Sequence, residues 1–230
     1  MANHLDLEEQ EQLDQLKHYW NQYGNIISWV LIAVLGCVAA WNGYQYWQRS
    51  QATQASAMFD EVERVVSSGD LPKSERAFSD IKERFGSTVY AQQAGLLVAK
   101  IAFDAGNLDL AKATLTWVAE KAADKGYASA ARLRLASVLM QSKALDEAQA
   151  VLNTGVDEEF KALAADRRGD IYMLQGKKME AKAEYQKAFK ALDATSDYRR
   201  LVEVKLAALG VNTAAEATKV AGATGTEGAN

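Results

Sequence analysis

Three stretches between residues 102 and 185 share one spacing of small and large apolar residues. They are AFDAGNLDLAKATL (102–115), LMQSKALDEAQAVL (139–152) and YMLQGKKMEAKAEY (172–185). In each, Ala follows a turn residue after five positions, and Leu or Tyr follows after nine; the turn residues are Gly106, Lys143 and Gly176. Successive turns are 37 and 33 residues apart, close to the period of about 34 residues of one kind of helix–turn–helix repeat. The spacing therefore predicts stacked helical hairpins.

Small residues mark the positions where the paired helices would cross closely. In the third unit these are Gly169, Ala181 and Ala188, and Ala99 and Ala136 take the same place in the other two. A weaker fourth unit precedes them at 59–86, where the expected turn residue Gly69 lies 37 positions before Gly106. The repeat region is predicted to cover 49–210 with three to four hairpins.

The last ordered element is predicted to be a helix that covers the end of the array. It would begin at Ser196 or Asp197, end at Gly210, and bury a stripe at Leu201, Val204 or Val202, Leu206 and Leu209. Residues 211–230 contain no large side chain to bury and are predicted to be disordered. With a single proline and abundant helix formers, the fold class is all-α.

An apolar run, ISWVLIAVLGCVAAW (27–41), predicts a transmembrane helix within 24–48. No residue from Tyr19 to Gln48 is charged, and the 22 residues from Ile26 to Trp47 would form about 33 Å of helix. That length matches the roughly 30 Å hydrocarbon core of a bilayer. Tyr and Trp residues flank both ends of the run, as expected where a span meets the lipid headgroups.

Two other interpretations of this run involve cleavage. Val34-Leu35-Gly36-Cys37 resembles a lipoprotein signal in which Cys37 takes a lipid, and the small residues at 39–40 would suit a signal peptide cut after Ala40. Both require a basic leader, whereas residues 1–23 form an acidic, amphipathic arm. The uncleaved span is therefore favoured, but Lys17 and Arg49 on its two sides give no bias in orientation.

One side of the span carries small residues at spacings of 3, 4 and 3. Such a ridge allows another membrane helix to approach closely. We expect it to be a partner-binding surface, called the small-residue ridge below and formed by Ala33, Gly36, Ala40 and Gly43.

The composition argues against catalysis and against nucleic-acid binding. His4, His18 and Cys37 are the only residues of their types, so the repeat region has no histidine or cysteine for catalysis or for a metal site. Residues 49–210 carry 24 basic and 23 acidic side chains, without the basic surplus of a nucleic-acid binder. No cofactor, metal or small-molecule substrate is expected, and the chain is predicted not to be an enzyme.

The order of these segments resembles a known family. The arm EEQEQLDQLKHYWNQYG, a span ending in WNGYQYW and about four repeats ending in DRRGDIYMLQGKKMEAKAEY are similar to the YfgM family, the ancillary subunit of the bacterial SecYEG translocon. The resemblance covers 6–210. It implies a single-pass inner-membrane protein with a cytoplasmic amino terminus and a periplasmic repeat domain. It also implies association with the translocon and with PpiD, a membrane-anchored chaperone resembling prolyl isomerases.

The resemblance to tetratricopeptide repeats further implies a binding groove lined by the first helix of each hairpin. Its expected lining is Lys100, Phe103, Asp104, Ser137, Met140, Asp166, Asp170 and Met173.

The leading hypothesis is a non-enzymatic translocon subunit that scaffolds periplasmic chaperones and newly translocated proteins. The alternatives are an outer-membrane lipoprotein with helical repeats that acts in envelope assembly, and a membrane-tethered repeat adaptor in the cytoplasm.

Overall fold

The computed structural model describes residues 7–213, and within this range the chain forms helices and no strands. The nine α-helices of the described residues are α1 (Leu7–Ser67), α2 (Leu71–Phe85), α3 (Val89–Asp104), α4 (Leu108–Lys121), α5 (Lys125–Gln141), α6 (Leu145–Asn153), α7 (Lys161–Leu174), α8 (Lys178–Ala191) and α9 (Asp197–Ala208). A short 3₁₀ helix, Glu158–Phe160, precedes α7. The all-α prediction is confirmed. The predicted disordered tail covers 211–230; of these residues, Val211 and Thr213 are described and buried, and Val211 packs in the same cluster as Val202 and Leu206. Residues 214–230 lie outside the described residues.

Contacts divide the chain into two units, with the boundary between Thr53 and Gln54. In the first unit the described residues all belong to α1, and their apolar side chains from Ile26 to Trp47 are exposed. Among the described residues, α1 is the one helix that is long and apolar enough to cross a membrane. No proline interrupts α1, so residues 7–23 of the amphipathic arm, the apolar run and the first repeat helix share one helix.

In the second unit the helices pair as the repeat spacing predicts. The end of α1 packs with α2 and α3 around Val62, Phe78 and Ile81, which confirms the weaker fourth hairpin. The pairs α3–α4, α5–α6 and α7–α8 follow, and each first helix also packs against the hairpin before it. Buried residues form three clusters, one after another along the array. Together these clusters form a column of buried residues beneath the stacked hairpins.

The predicted turn residues all have left-handed backbone. Gly69, Gly106 and Gly176 have φ of 74°, 76° and 76°, and Lys143 is the one non-glycine residue with positive φ in the described chain, at 61°. After three of the four turns a backbone N–H donates to the carbonyl five residues earlier, as in Lys177 N to Tyr172 O at 2.9 Å. This Schellman geometry ends α3, α5 and α7 and turns the chain into the second helix of each hairpin.

The small residues lie where the hairpin helices touch. Ala99, Ala136, Ala181 and Ala188 are buried, with at most 1% exposure. A Cβ added at Gly169 would lie 2.5 Å from Cδ1 of Tyr185 on the facing helix. Because no real Cβ tolerates that distance, Gly169 sets the separation of α7 and α8.

The predicted capping helix is present as α9, with Ser196 as its N-cap. It packs against α8 and buries Val202 and Leu206. Of the two options, Val202 is correct and Val204 is wrong, since Val204 is 66% exposed; Leu201, at 48%, is not part of the buried stripe either.

Candidate partner-binding groove

The first helices α3, α5 and α7 carry the eight residues predicted to line the groove, and the structure separates them into three groups. Asp104 is exposed beside Lys100 and pairs with it at 2.6 Å. Lys100, Phe103 and Ser137 line one open hollow between α3 and α5. Met140 and Met173 are half-buried and exposed, respectively, near the ends of their helices. Asp166 and Asp170 instead belong to a buried polar cluster.

The first hollow has a volume of about 270 Å³ and a predominantly apolar wall. Its floor consists of Ala99, Leu115 and Val138, which belong to the column of buried residues, and the partly exposed ring of Phe103 forms one side. The hydrocarbon part of the wall is accessible from solvent without any rearrangement, so it suits a large apolar side chain from another protein.

A second hollow of about 420 Å³ lies beside the first, between the end of α1 and α3. Phe59, Leu96 and Leu97 give it an apolar surface, and Gln93 and Glu63 give it polar groups. Lys100 and Arg134 line both hollows. We call the two hollows and these two cations together the α3–α5 groove.

Several residues of this groove were not predicted from the sequence. The residues that the repeat pattern did not assign to the groove include Arg134, Leu96 and Phe59. Arg134 could have been predicted from the helical period, because it lies three residues before Ser137 and so lies on the same side of α5 as Ser137. Phe59 had no such signal, because the first hairpin was assigned only weakly.

The expectation that Asp166 lines an open groove is corrected, because its exposure is 0%. It accepts hydrogen bonds from Lys205 Nζ at 2.8 and 2.9 Å and from Tyr198 Oη at 2.6 Å, both on α9. The packing of α9 against α8 brings these side chains over α7. A residue that α9 covers is unavailable to a partner.

Asp170 takes part in the same cluster. It accepts hydrogen bonds from Lys205 Nζ at 2.7 Å and from Tyr185 Oη at 2.8 Å, and it pairs with Arg167 at 3.4 Å. One ammonium group thus joins two carboxylates from successive turns of α7. We call Asp166, Asp170, Tyr185, Tyr198 and Lys205 the cap cluster. Its role is to hold α9 in place, so Asp170 is likewise corrected from groove lining to structural support.

The two phenols of the cap cluster are held neutral. Burial first, and then the hydrogen bond to Asp170, raises the pKa of Tyr185 well above its usual range. Burial and the hydrogen bond to Asp166 act on the pKa of Tyr198 in the same direction. Each phenol therefore remains a donor to its carboxylate across the physiological pH range.

The small-residue ridge lies on the exposed surface of α1 in the first unit. Nothing lies within 4 Å of a Cβ built at Gly36 or Gly43. Ala33 and Ala40 are exposed beside them. The surface is therefore open to a partner helix, and its role in binding one stays a prediction.

Within residues 7–213, no group of three or more His, Cys, Asp or Glu side chains has the arrangement of a metal site. Cys37, the chain's single cysteine, is exposed on α1. The described residues present apolar hollows and paired charges in the second unit and an exposed helix surface in the first.

The arrangement of hairpins defines the class of protein. Residues 17–211 match the family model described as a tetratricopeptide repeat-like domain, so the fold is that of a helical-repeat binding module.

Three curated relatives, each named an ancillary SecYEG translocon subunit, are similar over most of their length. The protein of Neisseria gonorrhoeae is 31% identical over 91% of this chain and 100% of its own. The protein of Haemophilus influenzae is 31% identical over 79% and 89%, and that of Escherichia coli is 25% identical over 86% and 95%. The chain belongs to this family of ancillary SecYEG translocon subunits.

Proposed function

We propose that this protein is a non-enzymatic ancillary subunit of the Sec translocon, anchored in the bacterial inner membrane by α1. Its amino terminus lies in the cytoplasm and its repeat domain in the periplasm, where the groove holds a PpiD-like chaperone or newly translocated proteins. The observation that carries the proposal is the α3–α5 groove, an open apolar binding surface on a chain that also has a membrane-length helix. The full-length similarity to translocon subunits supports the choice of complex.

The small-residue ridge is the proposed contact with the translocon or with the chaperone's own span. A photo-crosslinking side chain at Gly36 or Ala40 is expected to capture a membrane subunit of the translocon or the chaperone in intact cells. Val38 provides the matched control, since two residues correspond to about 200° of helix rotation and place it on the opposite side from Gly36. Equal capture from Gly36 and Val38, or capture from neither, would contradict a specific docking surface on the ridge.

Orientation is tested by fusing alkaline phosphatase after Asn230, because that enzyme is active only in the oxidising periplasm. An active fusion is expected, and an inactive fusion would favour the cytoplasmic adaptor. Intact-mass measurement addresses the lipoprotein alternative in the same preparation. A mature chain beginning at a lipidated Cys37 would contradict the uncleaved anchor.

A further inference from the structure

Lys100 and Arg134 occupy a particular place in the α3–α5 groove, because each lines both hollows. The apolar surfaces lie on either side of this pair, with Phe103 and Val138 in the first hollow and Phe59 and Leu97 in the second. Two cations therefore separate two apolar sites. A ligand that fills both hollows must pass over both cations.

Both cations are available to a ligand. Among the residues that the structure describes, Lys100 pairs only with Asp104, at 2.6 Å and one helical turn away. The two side chains are 69% and 55% exposed. Such solvated pairs contribute little and exchange readily. Among the described residues Arg134 pairs with no carboxylate, and its hydrogen bond is a long one, 3.4 Å from Nη1 to the carbonyl oxygen of Leu96. Most of the five guanidinium donors of Arg134 are thus left to solvent or to a partner.

Building on the proposed function, we propose that the groove recognises a protein segment in which an internal Asp or Glu lies between two large apolar side chains. The apolar side chains fill the two hollows, and the carboxylate binds Lys100 and Arg134. The acid is internal rather than a chain terminus, because the segment must continue on both sides of the cations to reach both hollows. Guanidinium and ammonium donors form strong, charge-assisted hydrogen bonds with such a carboxylate.

Glu63 fixes the position of the acid along the groove. It lies on the second hollow, within α1 and exposed. A carboxylate of the ligand that approached Glu63 would be repelled, whereas one over the shared cations is attracted. The groove thus favours acidic segments in one alignment and selects against segments with a second acid in place of the apolar residue.

The test measures binding of a fluorescein-labelled nonapeptide to the full-length protein in detergent micelles by fluorescence anisotropy. The peptide has leucine at its third and seventh positions, glutamate at its fifth, and serine, glycine or alanine elsewhere. Three matched peptides replace the glutamate with glutamine, replace both leucines with alanine, or end at the glutamate with a free carboxylate. The protein variants are Lys100→Gln, Arg134→Gln, the double variant, and Arg200→Gln as a control of equal charge change at an exposed site on α9.

We expect the glutamate peptide to bind wild type about three- to tenfold more tightly than the glutamine peptide. The double variant should abolish that difference, while Arg200→Gln should preserve it. Replacing both leucines should weaken binding further. The peptide ending at glutamate keeps one leucine and should bind more weakly than the full peptide. The proposal is overturned if wild type does not discriminate glutamate from glutamine, if the truncated peptide binds as well as the full one, or if no peptide binds.

Failure of this inference is separable from failure of the proposed function. The same double variant is purified from membranes in mild detergent, and its recovery of translocon subunits is compared with wild type. If wild type recovers the translocon but binds the glutamate and glutamine peptides equally, the ligand assignment alone is overturned. Loss of translocon from the wild-type preparation would count against the proposed function instead.

Discussion

Replacing Lys205 with Met removes the charge that joins the two carboxylates of the cap cluster. Lys205 Nζ lies 2.8 and 2.9 Å from the oxygens of Asp166 and 2.7 Å from Asp170 Oδ1. Met keeps most of the side-chain length and apolar volume, so the substitution removes an ion pair without opening a large cavity. What remains is a carboxylate with 1% of its side chain exposed, which still accepts a hydrogen bond from Tyr198 Oη.

The magnitude follows from the burial of Asp166. Removing one partner of a buried ion pair costs about 3–5 kcal/mol, because the remaining charge loses its compensation. Lys205 is 24% exposed on its side chain, and Asp170 keeps Arg167 and Tyr185 as partners. We therefore expect a loss near the lower limit, about 3 kcal/mol.

The free energy of unfolding is measured by urea titration of the full-length protein in micelles, followed by helical circular dichroism. Hydrogen exchange of the peptide covering 197–208 locates the effect, since α9 is the terminal helix of the array and should open first. Lys190→Met, which removes an exposed lysine from the last turn of α8, serves as the control and should change stability by less than about 0.5 kcal/mol.

A double variant sharpens the test. Asp166→Asn alone should cost about 1–2 kcal/mol, since Lys205 keeps Asp170 as a partner. Combined with Lys205→Met, its effect should be smaller than the sum by at least about 1 kcal/mol, because the uncompensated charge is gone. Strict additivity, or a Lys205→Met variant as stable as the Lys190→Met control, would refute the argument that the buried charges hold α9.

Two further perturbations address helix separation and the phenols. Gly169→Ala should destabilise the protein by about 1–2 kcal/mol in the same urea titration, because overpacking against Tyr185 outweighs the better helix propensity of Ala. A neutral result would mean that α7 and α8 can move apart at no cost in free energy. The pKa values of Tyr185 and Tyr198 are raised in the folded state. The contribution of the two phenols to stability is therefore complete below about pH 10, where free tyrosine begins to ionise. That contribution is lost as the pH rises towards the pKa values of the folded state. The free energy of unfolding should therefore fall above pH 10, and a Tyr185→Phe, Tyr198→Phe double variant should fall less steeply.

The turns could be predicted from the sequence because their determinants are local. Each turn has a residue in left-handed conformation, a small residue five positions later and a large apolar residue nine positions later. All three therefore lie close together in the sequence. Gly106 and Gly176 adopt this conformation readily, and Lys143 was identified only by its register with them. Periodicity alone therefore predicted the order of the hairpins and a number of three to four.

The cap cluster could not be predicted in the same way. Asp166 and Lys205 are 39 residues apart, and their contact depends on how α9 packs against α8. Helical periodicity predicts that Asp166 and Asp170 share one side of α7. It contains no information on whether a later helix covers that side. The groove residues of α3 and α5 have no such cover, which is why Phe103 and Ser137 lie on the open hollow as expected.

The cap cluster also limits how an array of this kind can change its length. Lys205 and Tyr198 are matched to carboxylates at two positions, one helical turn apart, on the first helix of the preceding hairpin. A duplicated hairpin inserted before α9 would keep a stable end only if its own first helix offered the same pair of aspartates. Copies of α7–α8 meet this requirement. Copies of α3–α4 would instead place Leu96 and Lys100 there, and copies of α5–α6 would place Leu133 and Ser137. Engineered extensions of the array should therefore be built from its last hairpin.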